Sequence, residues 1–191
     1  LPELIKNITR SAPDIDVQSY LTPRTETPKE LAAGNIDFAI DPPIHSDPNL
    51  KNKKIYQDNY VLVVNKKHPI AKKKKITTKD YLELSHLHIS KRATGLGHVD
   101  TTLNRLGLTR RIALRAQHFL VAPYIISQSN LAMTTIKSFA QGRNFKIFQL
   151  PFKINPLVLH LYWHSNKDAD PANKWMRKLI LSTYGKIKNK S

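Results

Sequence analysis

Two stretches gather the side chains whose types and spacing could do chemistry. The first is "DPP", residues 41 to 43, which closes the apolar run "IDFAI". The second is "SKRATGLG", residues 90 to 97, where two glycines sit beside Lys91 and Arg92. A glycine loop between a predicted strand and a predicted helix leaves backbone N–H groups free to meet an anion, and the two cations add charge. It is not a dinucleotide fingerprint, because after Gly95 and Gly97 the third glycine position holds Asp100, and no GxxxxGKS or GxxxxGKT loop occurs. The competing reading of the same glycines is a plain turn that needs special dihedrals. For Asp41 it is a capping or turn role ahead of two prolines.

Eight histidines raise the question of a metal. His86 and His88 share a strand face, and so do His160 and His164, but a site needs three or four convergent ligands, and no HExxH helix is present. They read as core or surface residues, and no metal and no cofactor are expected. Nucleophilic catalysis lacks a GxSxG elbow or an SxxK motif, and acid–base carboxylates would have to come from Asp37, Asp41, Asp47 or Asp100. An enzyme is therefore not expected. In "AQHFLVAP", His118 and Phe119 offer a polar tip and an apolar wall to an organic ligand, with core packing as the alternative for Phe119. Trp163 falls at a strand end, and Trp175 is expected in the core with Met176 and Leu179.

The elements that must position these residues follow from periodicity. "TPKELAAG" carries a capping box from Thr27 to Glu30, Pro28 at the first helical position and Gly34 as a left-handed stop. "IDVQSYL" alternates as a strand would, and "YVLVV", "HLHIS", "RIALRAQ", "LAMTT", "FKIFQL" and "LVLHLYWH" are further strands with helices between them. A last helix is capped by Asp170 with Pro171 in its first turn. The pattern is α/β, with helices on both faces of a mostly parallel sheet and a ligand beyond the carboxyl ends of the strands.

Net charge is +17, with no cysteine. Residues 1 to 59 carry 7 basic and 9 acidic side chains, residues 60 to 164 carry 17 and 3, and residues 165 to 191 carry 7 and 2, so a boundary near Tyr60 is suggested. The runs "KNKK" and "AKKKK" have no aromatics to stack on bases and read as solvated loop charge. No apolar run reaches the length of a membrane span, so a soluble chain with no membrane partner is expected.

Taken in order, "ELAAGNIDFAI", "IYQDNYVLVVNKKHPIA", "HLHISKRATGLGHVD", "RRIALRAQHFLVAP" and "LYWH" with "DPANKWMR" resemble the effector-binding part of a LysR-type transcriptional regulator, over nearly all 191 residues. The "SHLHIS" to "LGHVD" block and the "YWH" ending are most similar to the branch with nodulation, naphthalene-degradation and leucine-regulon regulators. The resemblance implies a two-lobed, type 2 periplasmic-binding-protein-like α/β fold, each lobe a mostly parallel sheet flanked by helices, joined by two crossover strands. Lobe one would hold residues 1–59 and 165–191, and lobe two residues 60–164.

It further implies a small-molecule effector, an aromatic or other carboxylate, in a cleft between the lobes. Carried onto this sequence, the ligand-binding residues are Asp41, Pro43 and His45, then Ser90, Arg92, Thr94 and Gly95, then His118 and Phe119, with Thr134 near the return crossover. Binding would change a homodimer or tetramer, paired side by side through the first helix near residues 2–11, and so change transcription in the cytoplasm. Promoter DNA would be reached only through the N-terminal winged helix-turn-helix. That domain and the first effector-domain strand are expected to be absent from this chain. The rivals are a solute-binding protein of a transporter, an enzyme on the same fold, and a basic module whose lysine runs bind nucleic acid and release it steeply with salt.

Overall fold

The computed structural model describes residues 1–44, 47–90 and 95–187. In chain order, α1 (Pro2–Ser11), α2 (Thr27–Ala33), β1 (Ala39–Asp41), β2 (Leu50–Asp58) and β3 (Tyr60–Asn65) lead to α3 (Thr78–Glu83), β4 (Ser85–Ile89), α4 (His98–Arg105) and β5 (Arg111–Ala116). Then follow α5 (Ala122–Ser127), β6 (Ala132–Ile136), α6 (Lys137–Ala140), β7 (Phe145–Gln149), β8 (Leu157–His164) and α7 (Pro171–Ile187). Two compact units result, Leu1–Gln57 with Val158–Ser191, and Asp58–Leu157. Residues 158–164, which the charge partition grouped with lobe two, lie in the first unit because β8 pairs there with β1, Ile40 opposite Leu161 and Asp41 opposite His160.

In the first unit the sheet order is β1-β8-β2. Leu4 and Ile8 of α1 pack on Ile55, Leu161 and Ile180, while Leu31 of α2 packs on Leu50 and Tyr162. Gly34 ends α2 at φ 75, a conformation that costs glycine nothing. The capping box expected at its start does not form: Thr27 Oγ1 donates to the Pro23 carbonyl, and Glu30 accepts from Asn35 Nδ2. Asp170 does cap α7, accepting from Asn173 N at 2.6 Å.

Three expectations change in this unit. Residues 15–21 form no strand; no strand among the described residues pairs with them, and Ile15 and Val17 stay 42% and 44% exposed. "KNKK" lies in β2 rather than in a loop, its lysines solvent-exposed between the buried Leu50 and Ile55. Trp175 is 38% exposed instead of core, whereas Trp163, like Met176 and Leu179, packs against the cluster of Leu4, Ile8, Ile55, Leu161 and Ile180 and lies under the Arg177 guanidinium at 4.6 Å.

The second unit holds a five-stranded sheet of order β5-β4-β6-β3-β7. β4 runs parallel to β5 and β6, while β3 is antiparallel to β6 and β7, so the sheet is mixed, with a parallel block of three strands. "YVLVV" is buried on both faces, as a central strand between two helical layers must be. Leu62 and Val64 pack on Tyr81, Leu84, Val99 and Leu103 of the α3–α4 side; Val61 and Val63 pack on Ala122, Ile126 and Ala140 of the α5–α6 side. A capping box closes α3, with Asp80 N donating to Thr77 Oγ1 and Thr77 N to Asp80 Oδ2.

His86 on β4 is fully buried, with one ring nitrogen, Nε2, bonded to the Tyr81 carbonyl and the other, Nδ1, unpartnered. Since a carbonyl only accepts, Nε2 carries the proton and the ring is neutral. Burial, only partly offset by that bond, pushes the His86 pKa from its ordinary 6.5 to about 4. The unfolded chain therefore binds a proton that the folded chain refuses, and stability is present above 6.5 and lost as pH falls towards 4. Urea unfolding between about pH 7 and about pH 5 is expected to show a loss of about 2 kcal/mol from this group. His86→Gln is expected to remove that component of the pH slope.

Candidate functional site

Because β5, β4 and β6 are parallel, their carboxyl ends lie together, and Ser90 N donates to the Ala116 carbonyl at 2.8 Å just past two of them. There, a depression of about 320 Å³ is lined by Ile89, Ser90, Gln117, His118, Phe119 and Leu120. His118 precedes a single 3-10 turn, Phe119–Val121, that leads into α5. Phe119 is neither a core residue nor loose: it is 46% exposed and stands edge-on to Phe139 at 5.0 Å, with Arg143 over the far ring at 4.1 Å. Gln117 was missed in the sequence, although it sits between the strand end and His118.

The other face of β4 carries a buried polar chain. Arg110 Nε donates to Asp100 Oδ1 at 2.7 Å, Nη1 to Tyr81 Oη at 3.3 Å, and Nη2 lies 3.4 Å from His88 Nδ1. Tyr81 Oη in turn shares a hydrogen bond with Thr134 Oγ1 at 2.8 Å. Asp100 Oδ2 accepts from Gly97 N at 3.2 Å. Burial opposes the Asp100 charge, but the hydrogen bond and charge of Arg110, with the Gly97 N–H, outweigh it and hold the carboxyl below the ordinary carboxylate value. The amide at Gly97 that the glycine loop would offer to an anion is thus already taken by the protein's own carboxylate.

Among the other residues expected at the site, Gly95 adopts φ 94, which favours glycine. His45, Arg92 and Thr94 lie outside the described residues. Thr134 is on β6, inside the second unit's sheet, opposite Leu62 of β3. In the first unit Asp41 ends β1 with its carboxylate 3.3 Å from Arg24 Nε. Burial raises its pKa and Arg24 opposes the rise. The following turn is pinned: Arg24 Nη2 donates to the Pro43 carbonyl at 2.8 Å, and Tyr162 Oη accepts from Ile44 N at 2.7 Å while donating to the Pro42 carbonyl at 3.4 Å.

Two α/β units, the first left after Gln57 and re-entered at Val158, each a sheet with helices against it, define the two-lobed type 2 periplasmic-binding-protein-like class. Within that class the chain belongs to the LysR substrate binding domain family, which matches residues 1–185. Its similarity to the transcriptional activator NagR of Ralstonia sp is 29% identity over 190 residues, 96% of this chain and 62% of NagR, so the chain spans under two thirds of that relative. The regulatory domain of MexT from Pseudomonas aeruginosa superposes with a TM-score of 0.79 at 22% identity, covering 95% of this chain and 92% of that one. The effector binding domain of QuiR, solved in complex with shikimate, superposes at 0.73 with 20% identity, covering 97% and 90%. NagR and MexT are transcriptional activators and not transport proteins.

Gly97 offers a test of the buried face. A β-carbon there would fall 2.6 Å from His88 Cε1, a ring that has little room to yield because it lies against Arg110. Gly97→Ala is expected to cost about 1–3 kcal/mol in chemical denaturation. His88→Ala in the same chain should recover most of that loss, since the backbone at Gly97, φ −79, suits alanine.

Proposed function

We propose that this chain is the ligand-sensing regulatory domain of a LysR-type transcriptional regulator, and that its effector is a small carboxylic acid bound at the carboxyl ends of β4, β5 and β6. The depression between Ile89 and Leu120 carries this reading. Ile89, Phe119 and Leu120 give it apolar walls, and Ser90, Gln117 and His118 bring polar atoms to it. It lies where parallel strands place ligands. The second unit holds 17 basic and four acidic side chains, a field that draws anions. QuiR, whose effector domain shares the fold, is seen with shikimate, itself a carboxylate.

On the first unit the Asp41–Pro43 turn has the same proposed role. Gly95 and the residues outside the description, His45, Arg92 and Thr94, remain proposed contacts on the strength of the family. In the whole regulator, effector binding biases two states of a homodimer or tetramer by its differential affinity for them. Promoter DNA is reached through a segment outside these residues. Self-association through α1 is supported by Ile5, exposed on the helix whose Leu4 and Ile8 are buried.

Thermal unfolding against a panel of aromatic and aliphatic carboxylates tests the reading. Binding to the native state at about a hundred times Kd adds about 2.7 kcal/mol, a shift of several degrees. Ser90→Ala and His118→Ala are each expected to shrink the shift. A panel that leaves the midpoint unmoved throughout counts against the carboxylate site.

A further inference from the structure

One end of the second unit's sheet collects cations. The pairings of Val63 with Met133 and of Met133 with Leu87 set β3, β6 and β4 in one row, and two residues further on β3 ends at Asn65, level with Ser85 where β4 begins. Arg111 pairs with Ser85 and Phe145 with Asn65, so the starts of β4, β5 and β7 share this end. The depression at Ile89 and Ser90 lies at the other end of the same strands. Residues 65–79 leave from the end marked by Asn65 and carry seven lysines and no carboxylate. Lys73 pairs with Asp80 and Lys79 with Glu83. Lys66, Lys67, Lys72, Lys74 and Lys75 are exposed and enter no ion pair among the described residues. Arg105, in the last turn of α4 before β5 begins, and Arg111 add two more exposed cations.

Solvation alone, which the sequence suggests for "AKKKK", needs no fixed path for the chain, and this segment has one. Pro69–Lys72 is a 3-10 turn in which Ile70 N donates to His68 Nδ1 at 3.1 Å, and His68, itself buried, is bonded to the backbone of Asn130. Asn65 Nδ2 donates to the Ser127 carbonyl. Ile76 is buried, and Ile70 and Ala71 pack against the cluster that holds Leu62 and Val64. The capping box at Thr77 and Asp80 fixes the far end. The lysines are therefore rooted at set points along an anchored backbone, where they repel one another with few carboxylates to relieve them. Five unpaired charges exceed what one small anion neutralises.

The side-chain types choose among polyanions. No Phe, Tyr or Trp occurs in residues 65–79 or 104–111, so the bases of a single strand find nothing there to stack on. Lysine is a point charge on a flexible stem, which suits phosphates at many positions and lacks the rigid fork that reads a base edge. A duplex presents about one phosphate per 1.7 Å of its axis. We propose that this end of the second unit is a sequence-independent contact for the phosphates of duplex DNA, made by Lys66, Lys67, Lys72, Lys74 and Lys75. Base sequence is still read by a segment outside these residues. The choice of a duplex as partner rests on the regulator reading above; the effector does not enter it, because the depression lies at the opposite end of the strands.

Fluorescence anisotropy of labelled duplexes of unrelated sequence, titrated with the chain at several potassium chloride concentrations, tests the contact. The logarithm of the association constant is expected to fall with that of the salt concentration at a slope of about −4.5, or about 0.9 for each of five phosphates. Lys72→Gln/Lys74→Gln/Lys75→Gln should make that slope shallower by about 2.7 and weaken binding about tenfold or more. Lys51→Gln/Lys53→Gln/Lys54→Gln removes the same charge from the exposed lysines of β2 in the first unit and should leave the slope as it was. All six lysines are exposed, so far-UV circular dichroism and the unfolding midpoint should match the unaltered chain in both variants.

Equal losses from the two triple variants assign the binding to the field of the whole chain and overturn the contact, and so does an absence of binding at the lowest salt. A single strand of the same length bound as tightly as the duplex, or poly-glutamate bound more tightly, overturns the choice of partner. The effector reading fails separately: carboxylates that leave the midpoint unmoved, beside the expected duplex binding, defeat that reading alone, and carboxylate binding without duplex binding defeats this one alone.

Discussion

Arg110 is 2% exposed, and a guanidinium shut away from water has to place its protons on protein atoms. It reaches α4 through Asp100, α3 through Tyr81, and β4 at His88. A buried pair of this kind adds little net stability, because desolvating both charges offsets most of their attraction. Its strength is as a constraint. Displacing any one of the three elements would leave a buried charge or hydroxyl without its partner, which costs far more than the pair contributes. The start of α4, the strand β4 and the α3 ring that touches β6 are therefore held in one arrangement, and that arrangement shapes the end of the second unit where its parallel strands finish.

The first unit meets a different constraint. Pro42 and Pro43 have no N–H to offer, so at these two residues the turn after β1 can be fastened only through carbonyls. Both are used. Arg24 donates to the two of them, and the Tyr162 hydroxyl closes the turn by donating to Pro42 and accepting from Ile44 N. Tyr162 can do so because the β1–β8 ladder sets it opposite Ala39, two residues before Asp41. The abrupt ending of the apolar run "IDFAI" thus has a physical reason: a carboxylate and two prolines form a turn that one arginine and one tyrosine hold still.

How much of this was legible in the sequence depends on the range of the interaction. Local signals were readable: Gly34 ends α2, Asp170 caps α7, and the β-branched run at 60–64 is the doubly buried β3. Pairings across the chain were not. Nothing periodic announces that Arg110 meets Asp100, ten residues away, or that Tyr81 meets Thr134, 53 residues away. Residues 15–21 show the converse, since an alternating pattern becomes a strand only where a neighbouring strand accepts its backbone groups. "KNKK" shows that a lysine run can be a strand when its flanking residues, Leu50 and Ile55, are buried and its own side chains face water. The neighbourhood of Ser90, His118 and Phe119 could be read because a strand end followed by a turn is a local event. Gln117 beside them has no such signature, as its part in the lining comes from the way β5 ends against β4.

The large positive charge and the buried hydrogen bonds act over different distances. Of the four acidic residues in the second unit, Asp80 is paired with Lys73, Glu83 with Lys79 and Asp100 with Arg110, while Asp58 accepts from Ser138 N. Most of the 17 cations are left to the solvent side, where salt screens them within about 8 Å. Such a field raises the local concentration of any anion without telling one from another. Discrimination needs donors at fixed positions and short range, and a lysine on a flexible stem supplies a charge but no fixed direction. Arg110, paired with Asp100 and buried, adds little to that outer field. The exposed lysines therefore set how strongly anions of any kind are drawn to the second unit, and the buried arginine sets the geometry beneath its surface.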